Sequence, residues 1–439
     1  MVNRKLTQSL PNRTVHRTVL ENGIVAIAVE NPAADIIAAR IFVRAGSIWE
    51  PSHQAGLAHL LAAVITKGTE NLSSLEIAER VESVGASLGA DAAADYFLLS
   101  LKTVSADFAN LLKLCGELLR NPTFPESEVE LERRLTLQAI RSQQEQPFAI
   151  AFEQLRLSMY KHHPYRNSSL GTEESVYKLC GDDLRQFHRT YFRPDNIVIS
   201  LAGRIAPDEA FELVNLVFGD WQKPPTPIPA LKLPECVPTP GITCVPQDSQ
   251  QSIIMLGYLA AKVTGNFPSH QPSDYAVLKL LNSYLGNGLS SRLFVELREK
   301  RGLAYEVSAL YPTRQDTSHF VVYMGTAPEN TAIALEGLRT EVERLCNTYL
   351  SGDELQAAKN KLLGQYALGK QTNAQLAQIY GWYEILGLGI EFDEIFTTEV
   401  SAVTAALAQE TACRYFIEPY ISLVGPEKAI SQFSVATTY

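Results

Sequence analysis

The chain has 439 residues and a formal net charge of −10, with 46% hydrophobic and 20% charged residues. That balance is globular and excludes disordered or collagen-like classes. The acidic surplus argues against a nucleic-acid partner, which requires a basic footprint. No apolar run of about 18 residues occurs, so no membrane-spanning helix is expected.

The N-terminal stretch 1–17 is basic, has no acid before Glu21 and lacks the apolar centre of a secretory signal. It reads as a basic tail, with a short organellar transit segment as the alternative. In chain order, strand patterns cover 19–29 and 36–43, with the hairpin signal Asn22-Gly23 in the first. Helical periodicity follows at 56–67, 74–86, 106–120 and 126–144, with a strand at 96–101 between them. A strand at 197–201 and a helix at 206–218 close the first half. Prolines at 224, 225, 227, 229, 234, 238 and 240 then mark an extended linker over 222–240. The second half repeats the order: a strand at 251–259, helices at 271–284 and 291–301, strands at 303–310 and 318–325, and helices at 328–345, 352–366 and 372–386. The fold class expected is α+β, two tandem related domains at 1–221 and 241–439, each a mostly antiparallel sheet covered by helices.

Six cysteines, Cys115, Cys180, Cys236, Cys244, Cys346 and Cys413, are scattered with no C-x-x-C pair. Free thiols in a reducing compartment are expected, rather than a disulfide framework or a structural zinc site.

The segment Ala55-Gly56-Leu57-Ala58-His59-Leu60-Leu61-Ala62-Ala63, followed by Lys67-Gly68-Thr69, resembles the zinc helix of the pitrilysin and mitochondrial-processing-peptidase family. Those inverzincins carry His-x-x-Glu-His in this frame. Two histidines at i and i+4 share one helix face and can reach one zinc ion. The glutamate before the second histidine takes the proton of the zinc-bound water. Here His59 keeps the first ligand position. Ala62 replaces the glutamate and Ala63 the second histidine. The family's third ligand, a glutamate on a later helix, falls at Ala139 within 131–140. Alanine offers neither lone pair nor proton acceptor, so the expectation is no metal on this chain. Further family framework is matched by Phe124-Pro125-Glu126, His163-Pro164-Tyr165 and Tyr191-Phe192-Arg193-Pro194-Asp195-Asn196. His162, His163 and His188 are expected to be structural or surface residues rather than ligands.

The second half holds the segment 286–307 and then Met324-Gly325-Thr326. It resembles the C-terminal domain of the same family, whose arginine and tyrosine are matched by Arg298 and Tyr305. Arg298 falls in the last turn of a helix, Gly302 just past its end, and the chain then enters a strand. Two donors there could converge on a peptide carbonyl and stabilise the oxyanion that develops on it. Gly286, Asn287 and Gly288 read as a loop between helices; the resemblance implies a minor contact with peptide there. Without the lysine of a P-loop it is not a phosphate cradle.

The resemblance thus implies a non-catalytic, substrate-binding subunit of a heterodimeric zinc metalloendopeptidase. Its partner would be a homologous chain bearing His-x-x-Glu-His and the zinc, with peptide as substrate and a cytoplasmic or organelle-matrix setting. The alternatives are a structural core-type subunit and a peptide-binding homodimer that does not cleave.

Overall fold

The computed structural model describes residues 6–10, 13–265, 271–286 and 288–434. Seven strands make the first sheet: β1 (Leu6–Leu10), β2 (Arg13–Val19), β3 (Val25–Glu30), β4 (Ile36–Val43), β5 (Ser87–Ala92), β6 (Phe97–Val104) and β7 (Ile197–Gly203), in the order β1-β2-β3-β7-β4-β6-β5. Five make the second: β8 (Ile242–Pro246), β9 (Ser252–Ala260), β10 (Glu306–Leu310), β11 (Ser318–Thr326) and β12 (Tyr420–Gly425), in the order β10-β11-β9-β12-β8.

The pairing exposes a duplication. In the first sheet β3 runs parallel to β7, and β7, β4, β6 and β5 then pair antiparallel in turn. In the second, β8 runs parallel to β12, and β12, β9, β11 and β10 pair antiparallel in turn. The same five-strand pattern thus occurs twice, as the α+β reading anticipates; β1 and β2 extend the first copy. Asn22-Gly23 turns β2 into β3, with Gly23 at φ +99°, where only glycine is unstrained.

The compact units are not the two contiguous halves. One comprises 1–140, 168–232 and 368–392, the other 141–167, 233–367 and 393–439. The halves expected on either side of 222–240 therefore exchange segments, although no helix or strand lies between Phe218 and Ile242. Helix Pro147–Tyr160, absent from the expected elements, packs on β9 and β12 of the second sheet. Helix Asn373–Ile385 packs on β4 and β7, the equivalent strands of the first.

Strand alternation explains why two helical layers are needed. Ile37, Ala39, Ile41 and Val43 of β4 enter the core with Ile197, Ile199 and Leu201 of β7. Phe42 and Ser200 point to the opposite face. There they meet Gly381 of helix Asn373–Ile385, where a Cβ would come within 2.3 Å of the Phe42 ring. In the second unit the glycine is on the strand: a Cβ at Gly257 would meet Met159 at 2.8 Å and Leu155 at 2.9 Å. Both central strands are consequently covered on both faces, and each large apolar side chain so buried stabilises by roughly 1.5–3 kcal/mol. Gly381→Val is expected to cost about 1–3 kcal/mol through overpacking, read as a lowered urea midpoint at unchanged slope.

Candidate functional site

In the first unit the His59 helix, Leu57–Val64, begins after Gly56, whose φ of +95° turns the chain sharply. No side chain at the cap position serves this helix end. Glu50 reaches forward instead, accepting the N–H groups of Gly56 at 2.9 Å and Ala58 at 2.7 Å. Burial pushes the Glu50 carboxyl up to about 8, while the two N–H donors pull it down.

Leu57, Ala58, Leu60, Leu61, Ala62 and Val64 of this helix are buried. His59 and Ala63, one turn apart, share the half-buried side, as their spacing dictates. Ala62 is only 3% exposed and belongs to the core. Ala139 is exposed on helix Glu126–Gln144. Burial lowers the His59 pKa, and Asp91 of β5 and Glu132 oppose that shift. Glu132 is itself ion-paired with Lys67 at 3.2 Å. Asp91, Glu132 and Lys67 had no assigned role in the sequence reading. Only Glu132 has a hint in the sequence, the seven-residue step from it to Ala139, two turns on one helix face.

The residues present do not fit a zinc ion. A catalytic site takes three nitrogen or oxygen ligands from protein, and of the positions that supply them only His59 has a donor atom. Glu132 is held by an ammonium group. No group of three or more His, Cys, Asp or Glu among the described residues is placed to hold a metal. The other histidines lie apart: His163, in the second unit, has its Nδ1 accepting the Tyr165 N–H at 3.1 Å and its Nε2 3.5 Å from Asp316. His188, in the first, has its Nε2 2.9 Å from the Leu119 carbonyl.

In the second unit, helix Asp274–Gly286 ends against β10. Gly286 is buried, a Cβ there would lie 1.9 Å from the Ala309 nitrogen, and its carbonyl accepts the Ser308 hydroxyl. Its glycine therefore serves close packing rather than peptide contact. Gly288 is exposed at φ +86°, and Asn287 lies outside the described residues.

Arg298 sits on the π-helical segment Phe294–Lys300. The end of this segment is one residue wider than its counterpart in the first unit. After helix Ser74–Glu82, Ala86 N–H reaches back five residues to Val81 O and Gly85 N–H reaches back three to Glu82 O. In the second unit Leu303 N–H reaches back six residues to Leu297 O (2.9 Å), and Gly302 N–H four to Arg298 O (3.1 Å). Such π insertions recur at functional sites. Gly302 closes the turn at φ +60°; Gly302→Ala is expected to cost about 1 kcal/mol in unfolding free energy.

Helix Thr331–Asn347 braces this segment. Glu341 binds Arg292 at 2.7 Å, and a Cβ at Gly337 would meet Leu297 at 2.9 Å. Arg292 and Lys300 both pair with Glu296, at 3.0 and 2.8 Å. Arg298 is exposed and has no ion-pair partner among the described residues; its guanidinium stacks on Phe294 at 5.0 Å. Tyr305 is 61% exposed. Its N–H donates to Gly325 O at 2.9 Å as β10 begins, while its hydroxyl makes no hydrogen bond among the described residues. Neighbouring Tyr323, by contrast, donates its hydroxyl to Glu306 at 3.0 Å. No hydrogen bond or cation–π contact joins Arg298 to Tyr305. They flank the same turn as two separately presented donors, because the guanidinium rests on the aromatic ring one turn behind it.

A duplicated α+β sheet pattern, a helix carrying His59 followed by Ala62 and Ala63, and an exposed Arg and Tyr point to a class: a relative of the zinc peptidases. Residues 25–173 match the family described as insulinase (peptidase family M16), and residues 178–362 match the peptidase M16 inactive domain. The chain belongs to peptidase family M16. It is 27% identical to the uncharacterized zinc protease YmxG of Bacillus subtilis, over 94% of this chain and 98% of that protein. It is also 27% identical to an uncharacterized zinc protease of Mycobacterium leprae, over 93% and 92% of the two chains. Among solved structures, a peptidase M16 inactive domain from Pseudomonas fluorescens superposes with a TM-score of 0.85 at 26% identity, covering 94% of this chain and 98% of that one. A protease from Helicobacter pylori shares the fold at the same TM-score and 22% identity, covering 94% and 99%. No helix among the described residues is long and apolar enough to cross a membrane.

Proposed function

We propose that this chain is the non-catalytic, substrate-binding subunit of a heterodimeric zinc peptidase, and that its partner is a homologous chain carrying His-x-x-Glu-His and the metal. The observation that carries the reading is the asymmetry between the two former site halves. One has lost its donor atoms at Ala62, Ala63 and Ala139. The other keeps Arg298 and Tyr305 exposed, with neither polar group engaged by a protein partner among the described residues. Arginine offers five N–H donors in a fixed fork and tyrosine one hydroxyl. Aimed at a peptide carbonyl, they orient it and stabilise its developing negative charge while the partner supplies the metal-bound water.

The test is reconstitution. The purified chain alone should leave a fluorogenic peptide intact with zinc present. Cleavage should appear on adding a zinc-bearing M16 chain from the same cell, and the two should co-elute. Chelator-sensitive cleavage by the single chain would overturn the proposal. Cleavage unaffected by loss of both Arg298 and Tyr305 would favour a structural core-type subunit. Peptide binding by a self-associated chain, without cleavage or partner, would favour the homodimer. Six unbridged cysteines suit a reducing setting such as the cytoplasm.

A further inference from the structure

Of the six cysteines, two come together. Cys346 lies at the end of helix Thr331–Asn347, and Cys413 lies on helix Ala405–Tyr415 packed beside it. The Cys413 thiol donates to the Cys346 carbonyl oxygen at 3.3 Å, which places the two cysteines side by side. Cys413 is exposed and Cys346 half-buried. We propose that Cys346 and Cys413 form an oxidisable dithiol that closes to a disulfide, stapling these two helices of the second unit.

The order of events follows from exposure. The Cys413 thiolate attacks one sulfur of a small disulfide oxidant such as oxidised glutathione, forming a mixed disulfide and expelling one glutathione thiolate. The Cys346 thiolate then attacks the Cys413 sulfur and expels the second glutathione. The protein gives up two electrons and two protons, and the oxidant becomes two thiols. The Cys413 sulfur already lies 3.3 Å from the Cys346 backbone, and closure turns it toward the Cys346 sulfur by rotation about side-chain bonds. The second step is the slow one. Burial and Glu343 keep the Cys346 thiol raised after Cys413 has become a mixed disulfide, so closure should quicken as pH rises.

The staple bears on a defined part of the unit. Helix Thr331–Asn347 braces the Arg298 segment through Glu341 and Gly337. Helix Ala405–Tyr415 holds the start of helix Asp274–Gly286 through Arg414 and Tyr415, both bound to Asp274 at 2.8 Å. The disulfide would tie these supports together and leave Arg298 and Tyr305 chemically unchanged.

The full chain is treated with oxidised glutathione at pH 8, alkylated, digested and mapped by mass spectrometry. The expected product is a Cys346–Cys413 linked peptide, with the chain lighter by two hydrogens, a raised thermal midpoint, and full reversal by dithiothreitol. In Cys346→Ser the reaction should stop with glutathione on Cys413. In Cys413→Ser no link should form. A wild-type chain that keeps glutathione on Cys413 as the Cys346→Ser variant does, or in which both thiols are fully alkylated, overturns the proposal. The wild-type map decides by itself, so nothing depends on how well the variants fold.

Discussion

In the reconstituted two-chain peptidase, Arg298→Ala is expected to lower kcat about 100- to 1,000-fold, with a much smaller change in KM and no loss of the complex. The magnitude is that of one oxyanion donor, roughly 3–4 kcal/mol of transition-state stabilisation. The direction follows from where the guanidinium sits. It is exposed, without a carboxylate, on a segment braced by the Arg292–Glu341 pair, so no ion pair must break before it can bind a carbonyl. Tyr305→Phe removes one hydroxyl and keeps the ring, and should lower kcat in the same sense. If both donors serve one oxygen, the double variant loses less than the product of the single effects. Arg298→Lys keeps the charge but not the fork and should fall between wild type and alanine. Because both side chains are exposed, thermal midpoints should move little. Full rates for both single variants in an intact complex would end the substrate-holding role.

What the residues disclosed in advance tracks how local the signal was. Strand β4 is apolar but for Arg40 and was legible over its full span, 36–43. The Asn22-Gly23 hairpin carries its own turn chemistry. The duplication was readable from the repeated order of elements, because each copy must bury the same kind of sheet. The exchange of helices was not. Helix Pro147–Tyr160 has a weak amphipathic pattern, since what decides its position is the distant glycine at 257 that admits Leu155 and Met159. At the candidate site the His59/Ala63 face and the Gly302 turn follow from helix spacing and glycine conformation. The Glu50 carboxyl accepting two backbone N–H groups does not, because it reaches the helix from before the Gly56 turn. The convergence expected of Arg298 and Tyr305 was an inference from sequence distance. The π turn and the Phe294 ring against which the guanidinium rests were not legible, because neither leaves a mark in local spacing.

Acid should destabilise the chain between about pH 6.5 and pH 4, and two buried histidines account for a large share of it. Burial holds His319 down to about 3 and His188 down to about 4. In the unfolded chain both titrate near 6.5. Their folded values lie below the unfolded ones, so the unfolded state takes up the protons. The stability tied to each neutral ring is complete above about pH 6.5 and is lost as pH falls toward the folded value. The loss is about 1.4 kcal/mol per pH unit for each ring, or roughly 2–3 kcal/mol each by pH 4.5. The surroundings explain the resistance to charging. His319 Nδ1 shares a 2.8 Å hydrogen bond with the Tyr160 hydroxyl, its Nε2 has no partner among the described residues, and Arg314 and Arg156 add positive charge nearby. His188 donates from Nε2 to the Leu119 carbonyl, between the rings of Phe124 and Phe192. Glu50 tilts the profile the other way: with its carboxyl raised to about 8, stability is lost as pH climbs from the ordinary carboxylate range toward that value. The decisive quantity is therefore a difference. Urea midpoints of the parent and of His319→Phe are compared from pH 7.5 to 4.5, where the Glu50 contribution cancels. The variant should lose stability less steeply by about one proton's worth of slope, and an identical slope would mean that the folded chain protonates His319 as readily as the unfolded chain does.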